Sequence, residues 1–275
     1  MRRTSAWVVL GIFAAVIGIA GCDPDDGSAT PQCQLFTPPA AGQPGSAGVT
    51  VAEQGFTSVP PDFTGNAMTA PRVSIGAILQ NNGGKVAYRT RVVFDALDDS
   101  GRSVVSGPQV NYQMIEVPVL LPGARAAVGD TLVANERARV ARVSINTAVT
   151  GWLPAGGPEN GLAPITATVD PATSSRKDDG SAIVGFTTKN PNCADLLSRG
   201  MTFAWRDSGG KIVGGNVDAL TKASACQTGG AEQPTIAGSQ ANTVPKTADP
   251  ARTDLTALCD VIKTPVVVRS GQPIN

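Results

Sequence analysis

Histidine is missing from all 275 residues of the chain. That absence removes the Ser-His-Asp and Cys-His nucleophile arrangements, imidazole general bases and histidine metal sites, and with them most common hydrolase mechanisms. There is no excess of either charge, since 22 Lys and Arg balance 22 Asp and Glu, so no basic footprint for nucleic acid exists. Leu-rich helical stretches are scarce and aromatics make up only 4% of the chain. Neither a G-x-G-x-x-G fingerprint nor a Walker lysine follows the glycine pairs Gly209-Gly210 and Gly214-Gly215, which excludes a phosphate loop and leaves turns and bulges. The one long apolar run, Ala6 to Ala20, is too short for the roughly 20 residues of a spanning helix.

What is present begins with that run. It is headed by Arg2 and Arg3 and closes on Ile19-Ala20-Gly21-Cys22, the layout of a secretory signal with a cysteine at the cleavage point. These residues resemble the lipobox of bacterial, particularly actinobacterial, lipoproteins. The resemblance implies cleavage before Cys22, diacylglyceryl on its thiol, and a mature protein fixed to the extracytoplasmic face of the cell membrane. Each buried methylene contributes about 0.8 kcal/mol, so two or three acyl chains hold a protein at a bilayer essentially permanently. Removing residues 1–21 leaves 20 basic and 22 acidic side chains, a formal charge of −2.

Cys33, Cys193, Cys226 and Cys259 remain, outside the cytoplasm, where disulfides persist. Four cysteines allow three pairings. Cys193 with Cys226 is favoured because both fall inside one repeat unit, which leaves Cys33 with Cys259. Zinc is disfavoured because no C-x-x-C spacing occurs.

Gly 31 and Pro 21, with abundant Val, Thr and Ala, point to many short strands joined by turns, an all-β fold. Asp23 to about Gly48 is rich in Pro, Gly, Ala, Ser and Thr and reads as a disordered tether that a bonded Cys33 would pin to the body; Ser28, Thr30 and Thr37 there are candidate sugar acceptors. Beyond it lies an internal repeat. Val73 to Asn81 lines up with Ala182 to Asn190 at an offset of 109, and Val92, Phe94 and Ala96 fall on Met201, Phe203 and Trp205. Asp99-Ser100-Gly101 then meets Asp207-Ser208-Gly209 after one residue is dropped, which reads as a bulge.

The period of two places Val86, Tyr88, Thr90, Val92, Phe94 and Ala96 on one strand face, with Tyr88 and Phe94 in the core. Further strands are expected at Ser103–Ser106, Tyr112–Val119, Arg137–Asn146, Ile165–Val169, Ile183–Lys189, Met201–Arg206 and Lys211–Leu220. Gln227–Arg252 reads as loop, Thr253–Ile262 as a short helix and Pro265–Arg269 as a closing edge strand. The expected organisation is a signal peptide (1–21), lipidated cysteine and tether (22–48), first sandwich (49–153), linker (154–164), second sandwich (165–268) and tail (269–275).

Phe94-Asp95-Ala96-Leu97-Asp98 and Phe203-Ala204-Trp205-Arg206-Asp207 each keep the Phe and the final Asp of the FxLYD pattern and lack its Leu-Tyr pair. Over 30 to 35 residues in each copy, the chain thus resembles the FxLYD and related immunoglobulin-like sandwiches of bacterial surface lipoproteins. The likeness implies two tandem small sandwich modules for interaction and carries over no functional residue. The acid pairs Asp98-Asp99 and Asp178-Asp179 sit beside glycine, where Asp stabilises a turn. Trp152, Trp205 and Tyr112 are read as core in preference to an exposed recognition patch. No catalytic residue, metal ligand or cofactor is assigned. The expected function is noncatalytic contact with an envelope protein or glycan, the membrane being engaged through acyl chains on Cys22. The alternatives are a carrier of lipid or small solute in an apolar cavity and, behind it, an Asp/Glu glycoside hydrolase with two carboxyl groups across a cleft.

Overall fold

The computed structural model describes residues 32–37, 45, 47–59, 71–106, 113–135, 138–218, 226–228, 235–239 and 244–261. Cys22, Tyr112 and the expected strand at Pro265–Arg269 lie outside them. The described residues form an all-β, sandwich-like fold. In the first half of the chain the strands are β1 (Val49–Val59), β2 (Arg72–Asn81), β3 (Val86–Leu97), β4 (Met114–Leu120), β5 (Arg125–Val133) and β6 (Arg142–Leu153). In the second half they are β7 (Thr166–Arg176), β8 (Ala182–Lys189), β9 (Leu197–Arg206), β10 (Ile212–Asp218), β11 (Thr235–Ser239) and β12 (Asp254–Asp260).

All pairings are antiparallel. The first half makes sheets ordered β1-β2-β5 and β4-β3-β6, and the second makes β7-β8-β11 and β4's counterpart sheet β10-β9-β12. Every index rises by six from one half to the other, so the repeat in sequence is a repeat in topology.

The turns carry the repeat most closely. Asn81, fully buried, accepts from the Gly83 amide and donates to the Lys85 and Leu120 carbonyls. Asn190, 109 residues on, accepts from the Asn192 amide and donates to the Cys226 carbonyl. At the far ends of β3 and β9, the Asp98 carboxylate accepts from the amides of Ser100 and Arg102, and that of Asp207 from Gly209 and Lys211. Gly101 and Gly210 take the positive φ that closes each turn, +82° and +85°. Asp98 therefore corresponds to Asp207 at the unbroken offset of 109. No residue is dropped, and the bulge expected there is not needed.

Each half has a main core, the first joined by Leu258 of β12. In the first, Val73, Ile75, Leu79, Val92, Phe94, Ile115, Val128 and Leu132 fill the space between the two sheets. In the second, Val184, Phe186, Met201, Phe203 and Trp205 do so, with the Phe203 and Trp205 rings stacked 5.8 Å apart. Between the halves, the β10-β9-β12 sheet lies against the outer face of β1-β2-β5, with a small apolar cluster of Ile78, Ala127, Ala204 and Ile212 and, beside it, direct contact of backbone on backbone. Gly55, Gly76 and Gly129 are direct cross-strand partners and form a row across all three strands. A Cβ on Gly76 would lie 1.9 Å from the Gly214 carbonyl oxygen, and one on Gly129 2.5 Å from the Gly215 Cα. Ser74 Oγ closes the contact by donating to the Gly215 carbonyl and accepting from its amide, both at 2.9 Å. The free edge of β5 is covered too, the Ala127 and Gly129 amides donating to Thr256 and Thr202.

Strand β3 departs from the expected single face. Val92, Phe94 and Ala96 point into the main core, but so does Ala87, while Val86 and Tyr88 face a separate cluster with Leu153, Leu162 and Val261. The phase flips at Arg89, whose φ is +51°. Such a conformation costs of order 1–3 kcal/mol outside glycine. It is held by charge: Arg89 reaches the fully buried Asp260 at 3.3 Å and Glu116 at 3.5 Å, and Arg199 grips Asp260 at 2.7 Å. Tyr88, donating to Asp260 from 3.4 Å, has its hydroxyl pushed up to about 12 by burial and by the neighbouring negative charge.

Several local expectations change. Within the helix expected at Thr253–Ile262, Asp254–Asp260 is a strand, because Leu255 and Ala257 alternate into the second core while Thr256 faces β5. Gln227–Arg252 contains β11. Strands β1 and β5 were not foreseen.

Candidate functional site

Each half is open between its first and last strands, and an edge strand of the other half roofs the opening. In the second half this gives a groove of about 460 Å³ between β7 and β12, walled by Ala167, Val169 and Leu255 and roofed by Ile78, Arg125 and Ala127. The corresponding opening in the first half, between β1 and β6, is about 300 Å³ and is walled by Phe56 and Val143 beneath Ile212 and Val213.

The larger groove is distinguished by its charges. Arg206, at the end of β9, donates to Asp254 Oδ2 at 2.5 Å, to Glu53 Oε2 at 2.7 Å and to the Gly210 carbonyl at 2.7 Å. Glu53 is also paired with Arg125. A register shift between Val51 and Glu53 in β1 accompanies this placement. The result is a chain of alternating sign, Arg125, Glu53, Arg206, Asp254, along the rim. Hydrogen bonds from Arg206 and then Arg125 hold the Glu53 carboxyl below its ordinary value. Half of the Arg125 side chain remains exposed. Chemically the groove offers the Arg125 and Arg206 guanidinium groups, the Asp254 carboxyl group, the threonines 168, 253 and 256 and a short apolar floor, with Glu53 bridging the two arginines at its rim, a surface suited to binding a polar partner. Nothing in the sequence pointed here, because Glu53 and Arg206 are 153 residues apart.

The residues singled out from sequence fall elsewhere. All four cysteines are in disulfides, but paired as Cys33–Cys193 and Cys226–Cys259, which corrects the favoured arrangement. The reason is in the backbone. Gln34 and Phe36 donate to the carbonyls of Glu159 and Asn160 while Cys193 donates to Pro158, which brings residue 33 to residue 193. The Leu196 amide donates to the Cys226 carbonyl, and Cys259 sits opposite Ser198 in the β12–β9 ladder. Asp98 and Asp179 each accept from a backbone amide two residues on and so serve turns. Ser100 and backbone amides hold the Asp98 carboxyl down at about 2. Gly209 and Gly210 belong to the Asp207 turn, and Gly214 and Gly215 lie in β10 against the first half. Trp205 is core and Trp152 packs over Gly48 and Gly83. Among the described residues no group of three or more carboxylate or thiolate ligands gathers. No protein-family model, curated protein or solved structure matches the chain.

Proposed function

We propose that this protein is a noncatalytic, lipid-anchored module on the extracytoplasmic face of a bacterial membrane, built of immunoglobulin-like sandwiches, and that it contacts an envelope protein or glycan through the charged groove. The observation that carries the reading is the disposition of its thiols. Four cysteines are consumed in two disulfides, a chemistry that persists outside the reducing cytoplasm, which leaves Cys22, at the end of the signal-like run, as the unpaired thiol. The groove supports contact rather than chemistry, because its carboxylates are engaged by arginines.

Feeding cells an alkyne-bearing fatty acid and tagging the purified chain tests the anchor. Label on the wild type, lost together with membrane fractionation in Cys22→Ala, is the expected result; an unlabelled wild type or a mature chain starting elsewhere overturns it. The groove volume falls within the range of about 300–1,000 Å³ typical of ligand pockets, which favours small-solute carriage as the second reading. A small molecule retained in native mass spectrometry and lost in Arg206→Ala would decide for the carrier.

A further inference from the structure

The two disulfides differ in exposure. Cys226 and Cys259 are 1% and 4% exposed, within a cluster with Leu196. Cys33 and Cys193 both lie open to solvent. The exposed bond holds a short strap, residues 33–36, across the seam between the halves. Leu35 packs in the cluster around Leu196 and the buried disulfide, and lies over Gly161, where an added Cβ would come within 2.9 Å of it. Phe36 packs in the other cluster, with Val86, Tyr88, Leu153 and Leu162. Apart from these side chains, the strap is held by two backbone hydrogen bonds, Gln34 to Glu159 at 2.8 Å and Phe36 to Asn160 at 2.9 Å.

Thiol–disulfide exchange requires a nucleophile to reach a sulfur, so accessible bonds are the labile and regulatory ones. We propose that Cys33–Cys193 is a redox latch: exchange with a dithiol reductant opens this bond selectively and frees the strap from the seam. One thiolate of the reductant attacks a sulfur of the bond, the S–S bond breaks as a mixed disulfide forms, and the second thiol resolves it. The reductant leaves as its own disulfide, two electrons pass to the protein, and the two protons of the dithiol end on Cys33 and Cys193.

The test uses the full-length chain in detergent. Any free thiol is first blocked by alkylation, dithiothreitol is then raised stepwise, and newly released thiols are trapped with an isotopically distinct reagent and located by mass spectrometry, with hydrogen exchange read in parallel. Cys33 and Cys193 should be released in equal amounts at least about tenfold faster than Cys226 and Cys259, and exchange at the Phe36 amide should rise to match. Simultaneous loss of both bonds, release of Cys226 and Cys259 first, or opening without faster exchange at Phe36 overturns the latch. In the double variant Cys33→Ser, Cys193→Ser the strap should exchange as in the reduced wild type; protection equal to the oxidised wild type also overturns it. Because residue 22 is blocked throughout, these outcomes do not depend on whether it carries lipid.

Discussion

The two halves of the chain share one strand order and fill it with different matter. The first is packed by aliphatic residues around Phe94, and its central strand changes face at Arg89; the second is packed around Phe186, Phe203 and Trp205 and is cross-linked by Cys226–Cys259. What coincides is mostly turn chemistry, Asn81 with Asn190, Asp98 with Asp207 and Gly101 with Gly210, together with one core ring, Phe94 with Phe203. Turns thus specify which strand follows which, and any interior of suitable volume completes the job.

The largest effect is expected from forcing the two halves apart. Gly76→Val places a branched side chain where even a Cβ meets the Gly214 backbone, and should cost more than about 3 kcal/mol or prevent folding. Gly84→Val, in open space, is the control and should leave the denaturation midpoint nearly unchanged.

The next effect sharpens the contrast between interiors. Asp130 lies in β5 between the core residues Val128 and Leu132, and burial raises its carboxyl to about 7, the hydrogen bond from the Thr131 amide opposing this. Its folded value exceeds the unfolded one, so the folded state holds the proton more tightly. Stability should be full below about pH 4 and be lost as pH rises through about 7, and at about 1.4 kcal/mol per unit the loss is bounded near 4 kcal/mol. Asp130→Asn should flatten this dependence and be the more stable chain at pH 8, as calorimetry across pH 4–8 would show.

A smaller effect compares the equivalent caps. Asn81→Ala leaves the Lys85 and Leu120 carbonyls unpaired and should cost about 1–3 kcal/mol. Asn190→Ala should cost less, because the Cys226–Cys259 bond still holds that corner. Equal losses in chemical denaturation would show that the disulfide adds nothing there. Smallest of all, Ser100→Ala should move the Asp98 titration upward from about 2, read by carbon-detected resonance, without altering the fold.

How far the sequence was legible follows from the same division. Strands β2, β3, β8 and β9 were visible because β-branched and aromatic residues lead into Asn or Asp turns whose chemistry is local. Strand β5 was not, since Arg125-Ala-Ala-Val-Gly-Asp-Thr spends its apolar positions on alanine and its contact position on glycine, a need set by a strand far along the chain. The phase flip at Arg89 has no local signal, because the acids that Arg89 meets there, Glu116 and Asp260, lie far along the chain. The cysteine pairing and the groove likewise depend on which surfaces meet. The signal-like run with Cys22 was plain to read, and it lies outside the described residues.

The glycine row has one more consequence. Apolar cores owe their cohesion to water and weaken on cooling. The join between the halves rests on close backbone contact and on the hydrogen bonds of Ser74 and Thr57, with only a small apolar patch of Ile78, Ala127, Ala204 and Ile212 beside them. In the cold, therefore, the join should lose less of its strength than the interiors it holds together.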